Sequence, residues 1–237
     1  MSTVNGGWRG PNIVKDGLVL YLDAGSPNSY INGISGTSWK DISGNANNGT
    51  LTNGPTYSPD NGGIIQFDGV NDYAILPPSI SNTITTSFTM MCFLYIETTT
   101  LFGSILGYNN PGSVGQLFSL QVRSNSNVNP ANVYLVIYTN VSNVFSVNTN
   151  VNFFEWHHVA TTYDGTSAKI YLDGVLSSQA NTTGSFSPSV QNLYVGSDFI
   201  RARYSKNKFG PTQIYNRALS SQEVLQNFNA TKSRFGL

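Results

Sequence analysis

Between Ser87 and Glu97 the side chains alternate with a period of two, and this stretch constrains the fold more than any other. Phe88, Met90, Cys92, Leu94 and Ile96 fall on one face; Ser87, Thr89, Met91, Phe93, Tyr95 and Glu97 fall on the other. Successive side chains of a β-strand point to opposite sides of the sheet, so the first set reads as a core face. The second set mixes polar and large apolar residues, which predicts partial cover by a loop or a partner.

Shorter strand signals, each followed by turn residues, surround this one. They are Leu18–Leu22, Asn48–Leu51, Ile64–Phe67, Leu117–Val122, Val133–Tyr138, Trp156–Tyr163, Lys169–Leu172, Val175–Ser178, Leu193–Val195 and Thr212–Tyr215. Asp173-Gly174, between two such runs, is a two-residue hairpin signal because both central positions want positive φ. About a dozen short strands at this spacing read as a sandwich or jelly roll, not a parallel α/β sheet. The Asn-rich stretches around 124–132 and 140–152 read as loops or edge strands. One helix is signalled: Ser220-Ser221-Gln222-Glu223 is a capping box, Leu219 and Val224 can staple it, and Val224, Leu225 and Phe228 form its apolar stripe. The fold class is therefore all-β, a two-sheet antiparallel sandwich with one short C-terminal helix. Residues 1–15 read as a polar N-terminal arm and residues 16–237 as one domain, since sandwiches of this length commonly fold as a unit.

Charged residues make up only 10% of the chain, against about 25% in ordinary soluble domains. The formal net charge is zero, so no general attraction to nucleic acid or to acidic membranes is expected. The charges are unevenly placed: through Asp198 there are eleven acids and five bases, and after it seven bases against Glu223 alone. The basic end is expected to fold back onto the acidic body. A sharper alternative is a contact with a neighbouring subunit, for which Trp8, Arg9, Arg201, Arg203, Lys206 and Lys208 are the candidates. Cys92 is the single cysteine, which excludes an internal disulfide and reads as a buried structural thiol. The N-terminus lacks the basic and apolar regions of a secretory signal, and no apolar run approaches the ~18 residues of a membrane span. The expected origin is a cytoplasm. Asn-x-Ser/Thr triplets at Asn48, Asn140, Asn181 and Asn229 follow from composition.

Four segments carry a family likeness: Phe67-Asp68-Gly69-Val70-Asn71-Asp72-Tyr73, the run from Trp156 to Gly165, Lys169-Ile170-Tyr171-Leu172-Asp173-Gly174, and the close from Ile214 to Ser220. In this order and spacing the chain resembles the laminin-G-like jelly rolls of the concanavalin A-like superfamily over about residues 16–230. Gly17–Gly25 and Asn227–Leu237 further resemble the ends of single-domain members found in tailed phages of aquatic bacteria. That resemblance implies a non-enzymatic structural protein on the virion surface, a capsid decoration or a tail or fibre accessory. Its implied partners are other virion proteins, further copies of itself and a cell-surface polysaccharide, without nucleic acid or membrane. The alternative is a carbohydrate-binding, lectin-like module or host adhesin, and a glycoside hydrolase ranks last.

Retaining glycosidases need two carboxylates about 5–5.5 Å apart, and some relatives place them as Glu-x-Asp-x-Glu on one strand. Here Glu97, Glu155 and Glu223 are far apart in sequence and no such motif occurs. His157 and His158 are neighbours on a strand and point to opposite faces, so they read as satisfied structural histidines and not as joint metal ligands. No catalytic residue is assigned. The resemblance makes calcium the metal to consider, and Asp68, Asn71 and Asp72 offer three side chains in one turn. Asp68-Gly69 also reads as a plain turn in which Asp bonds its own backbone; that reading is preferred, and no metal or cofactor is assigned. For sugars, Trp39 and Tyr108 are the aromatics in loop-like contexts, without a binding residue being fixed.

Overall fold

A computed structural model describes residues 12–98, 103–108, 117–123, 129–140, 145–186, 191–198, 203–204 and 206–237. Trp8, Arg9 and Arg201 lie outside the described residues. In chain order the strands begin with β1 (Leu18–Leu22), β2 (Ser38–Trp39), β3 (Gly49–Thr52), β4 (Thr56–Ser58), β5 (Ile64–Gln66) and β6 (Tyr73–Leu76). A short helix α1 (Ser79–Thr83) leads to β7 (Phe88–Thr98), β8 (Gly103–Tyr108), β9 (Leu117–Arg123), β10 (Ala131–Tyr138) and β11 (Phe145–Val151). Then come β12 (Trp156–Tyr163), β13 (Ser167–Leu172), β14 (Val175–Asn181), β15 (Leu193–Val195) and β16 (Lys206–Tyr215). Helix α2 (Ser221–Thr231) and a 3-10 turn over Lys232–Phe235 close the chain.

The strands form two antiparallel sheets of eight. One runs β14-β13-β12-β7-β16-β5-β4 with β1 also on β16; the other runs β11-β10-β9-β8-β15-β6-β3-β2. Strand β7 is central to the first sheet, between β12 and β16. Its inner face, Phe88 to Ile96 in steps of two, is fully buried in the main core. There it joins Leu20, Val159 and Ile214 of its own sheet and Leu106, Leu120, Val133 and Val195 of the other. Burying side chains of this size contributes about 1.5–3 kcal/mol each before entropy is set against it. Cys92 is within this core, and burial pushes its thiol up to about 12.

The outer face of β7 is covered by the chain's own C-terminus. Met91 packs with Val14, Tyr215, Leu219 and Val224, and Phe93 with Ile64, Phe228 and Phe235. The Phe93 and Phe235 rings stack with centroids 4.4 Å apart. Helix α2 starts as expected: the Ser220 side chain accepts from the Glu223 N–H, and the Glu223 carboxylate accepts from the Ser220 N–H. The Arg217 guanidinium, 2.6 Å from Glu223, is the main reason that carboxyl is held down at about 2. The apolar stripe needs correcting, for Leu225 is 42% exposed while Asn227 is buried. Asn227 Oδ1 accepts from the Val14 N–H and its Nδ2 donates to Tyr215 Oη, so residues 12–15 are bound along the helix by a polar contact that an apolar stripe cannot supply.

Two further readings change. Strand β16 begins at Lys206, not Thr212, and crosses Gly210-Pro211 as an irregularity in register between Phe209 and Thr212. A Cβ at Gly210 would lie 2.6 Å from the Phe235 ring, so this glycine is set by close approach and not by a turn. Trp39 and Tyr108 are not loop aromatics: they lie in β2 and β8, 0% and 3% exposed, and both belong to the core. The second Asn-rich stretch contains β11, an edge strand of the second sheet.

Candidate functional site

Where the outer face of the first sheet escapes the C-terminal cover, cross-strand register sets five side chains in one row. Thr56 of β4 opposes Gln66 of β5, which opposes Lys208 of β16, then Tyr95 of β7, then Trp156 of β12. Directly opposed residues of antiparallel strands stand close enough to interact. The Lys208 ammonium lies 4.7 Å from the Tyr95 ring centroid, and the Tyr95 and Trp156 rings are 5.5 Å apart. Trp156 in turn leans on Phe235, so the C-terminal turn both covers Phe93 and buttresses this end of the row.

A cleft of about 360 Å³ opens over the Thr56–Lys208 part of the row, with Glu97 and the turn that follows β5 in its wall. Glu97 lies two residues beyond Tyr95 on the same face. It is 3.0 Å from the Lys208 ammonium and 3.4 Å from that of Lys206. Burial works to raise its pKa, but Lys208 and then Lys206 outweigh it and hold the carboxyl below the usual range.

The turn from Asp68 to Asp72 forms the opposite wall. Asp68 Oδ1 accepts from the backbone N–H groups of Val70, Asn71 and Asp72, and Asp72 Oδ2 accepts from that of Asp68. Those N–H groups overcome partial burial and hold Asp68 below the usual carboxyl range. Burial, with the neighbouring Asp68 charge, raises Asp72. Gly69 has φ +77, and a Cβ there would sit 2.8 Å from Lys206 Cβ, so the turn is pressed against the start of β16. Phe67 N–H donates to Asn207 O at 2.9 Å and ties the two walls together.

Lys206 and Lys208, read from sequence as candidates for a subunit contact, thus pair within the chain with Glu97. Arg203 lies 3.5 Å from the buried Asp198. Asp68 and Asp72 both line the cleft, but the turn does not fit calcium, which wants six to eight oxygens. One Asp68 oxygen is committed to amides, and among the described residues no three His, Cys, Asp or Glu side chains gather to hold a metal. The glutamates are dispersed: Glu97 between lysines, Glu155 3.6 Å from His157, and Glu223 in the helix cap. His157 Nδ1 is hydrogen bonded to Asp173 at 2.9 Å. His158 corrects the expectation of a satisfied histidine: it is 2% exposed between Phe93 and Phe228, and its Nδ1 has no hydrogen-bond partner among the described residues.

Residues 68–225 match the model of the concanavalin A-like lectin/glucanases superfamily. The chain belongs to this family. No curated protein sequence matches it. Among solved structures it is similar to the binding domain of Paraclostridial mosquitocidal protein 1, with a TM-score of 0.69 and 15% identity over 91% of this chain and 52% of that one. It is also similar to the binding domain of botulinum neurotoxin DC in complex with SialylT, with a TM-score of 0.67 and 15% identity over 92% and 52%. For Trypanosoma rangeli sialidase the TM-score is 0.63 and the identity 20%, over 92% of this chain and 33% of the sialidase. The chain spans about half the length of these toxin domains. At such identities the likeness shows the fold alone.

Proposed function

We propose that this chain is a non-catalytic glycan-binding domain borne on the surface of a phage particle. The observation that carries the glycan-binding part is the Thr56–Gln66–Lys208 row beneath a cleft walled by Glu97 and Asp72. Amide, hydroxyl, ammonium and carboxylate groups offer donors and acceptors side by side, as a polyhydroxyl ligand requires, and the Tyr95 and Trp156 rings supply apolar surface at the rim. The toxin binding domains of the same fold support this reading, one being in complex with SialylT and another concerned with interaction with two ganglioside molecules. Of the three carboxylates in the wall, Glu97 is paired with two lysines and Asp68 with three backbone N–H groups, which favours binding over hydrolysis.

The test is a glycan array on the purified chain, followed by titration calorimetry of any ligand found. Gln66→Ala and Lys208→Ala are expected to weaken that ligand about fivefold each, the loss of about 1 kcal/mol of hydrogen bonding. Gln222→Ala, at the exposed start of α2, is expected to leave it unchanged. Equal binding by all variants would remove the cleft from the reading.

The virion role is supported by the resemblance of Gly17–Gly25 and Asn227–Leu237 to single-domain phage proteins. Mass spectrometry of purified particles is expected to find the chain as a stoichiometric component, and its absence there would defeat that role.

A further inference from the structure

The charges in the cleft wall point to the class of saccharide. We propose that the site takes uncharged glycans and discriminates against those carrying carboxylate or sulfate groups, an inference that rests on the glycan-binding reading above. The two lysines of the wall are committed: both ammonium groups lie within 3.4 Å of Glu97, and that of Lys208 also lies over the Tyr95 ring. Against them stand Glu97, Asp68 and Asp72. Glu97 and Asp68 are each held in the ionised form by neighbouring donors. The described lining residues therefore sum to zero charge with Asp72 protonated and to minus one with it ionised.

An anionic ligand meets this wall on poor terms. A carboxylate that approaches either lysine comes up beside the Glu97 charge, and elsewhere it faces Asp68 or Asp72; like charges brought together in an interface are strongly disfavoured. A hydroxyl meets no such penalty. It can accept from the Gln66 amide or a lysine, and donate to a carboxylate oxygen, without separating the Glu97 ion pairs. Glu97 is thus the residue that decides the charge of the ligand.

The experiment is an array on which each uncharged glycan is printed beside its carboxylate- or sulfate-bearing counterpart, probed with the wild-type chain and with Glu97→Gln. The wild type is expected to bind uncharged glycans and to bind the charged counterparts roughly tenfold more weakly. Its affinity should be flat across a salt series that takes the Debye length from about 30 Å to about 8 Å. Glu97→Gln frees both lysines and is expected to gain roughly tenfold for the carboxylate-bearing members, with a salt dependence the wild type lacks. Wild-type preference for anionic glycans would overturn this inference and leave the glycan-binding reading standing. A Glu97→Gln chain that folds as judged by circular dichroism but gains nothing for anions would also overturn it. Failure of the wild type to bind any glycan would instead overturn the reading on which it rests.

Discussion

Replacing Arg234 with alanine is expected to destabilise the folded chain by about 3 kcal/mol, the scale on which a buried ion pair loses one partner. Arg234 Nη1 donates to both Asp23 oxygens, at 3.0 and 2.8 Å, its Nε to Asn61 O and its Nη2 to Gly63 O. The Asp23 side chain is 8% exposed, so removing the guanidinium leaves a carboxylate that water reaches poorly, together with two carbonyls that lose a donor. For a chain of this size the melting temperature should fall by roughly 6–12 °C. Lysine should restore less than half of the loss, because one compact ammonium cannot span a carboxylate and two carbonyls as the planar fork does. Asp23→Asn placed on Arg234→Ala should recover part of it by removing the stranded charge. A melting temperature within about 1 °C of wild type for Arg234→Ala would show that Asp23 does not depend on it.

This contact explains why the two ends of the sequence belong together. Gly17–Gly25 and Asn227–Leu237 meet in space. Asp23 receives Arg234, a side chain at Gly25 would collide with the same guanidinium, and Asn227 holds Val14. The end of the chain is therefore part of the sandwich: without it the outer face of β7 would expose Met91 and Phe93.

What could be read from the sequence was local. The alternation of β7, the Asp173-Gly174 hairpin with φ of 51° and 79°, and the Ser220–Glu223 cap each depend on residues a few positions apart. Strand β8 escaped because Gly103, Ser104 and Gly107 interrupt any apolar alternation, although every residue of it is buried. Trp39 and Tyr108 were misplaced for a related reason: turn-forming neighbours made them look exposed, while packing of the two sheets decides their burial. Helix α2 lost its expected stripe at Leu225 because the acceptor for Val14 sits at Asn227. In each case long-range packing overrode a local signal.

The cleft was legible only in fragments. Asp68 and Asp72 stood out as a possible ligand set, Lys206 and Lys208 as a basic cluster, and Glu97 as one of three glutamates. Nothing in their spacing says that they share a wall, since that depends on the register of four strands drawn from residues 56 to 208. Thr56 and Gln66 carried no signal, being polar residues on short strands. The one usable hint was Glu97 itself: it shares the outer face of β7 with Met91, Phe93 and Tyr95, and a charge ending an otherwise apolar face marks where cover gives way to solvent.

A large pH effect on stability between neutrality and pH 4 is expected from His158. Burial between Phe93 and Phe228, offset in part by the Asp173 charge, lowers its pKa from 6.5 to about 4. The unfolded chain takes up a proton near pH 6.5 that the folded chain refuses until about pH 4, so between these values the unfolded state binds more protons and stability falls as pH falls. At about 1.4 kcal/mol per pH unit the loss amounts to about 3 kcal/mol between pH 7 and pH 4. Above pH 6.5 and below pH 4 His158 contributes no further slope. Other groups titrate in acid as well, among them Glu97 and Asp68, whose folded-state values are depressed and whose stabilisation is lost at the acid end. His158→Leu isolates the histidine: it keeps a side chain of similar size beneath Phe228 and removes the proton site. Urea unfolding at pH 7, 5.5 and 4 should show the variant gaining on wild type by about 3 kcal/mol across the series. Two parallel stability curves would mean that His158 is protonated as readily in the folded chain as in the unfolded one, and that helix α2 does not seal it from water.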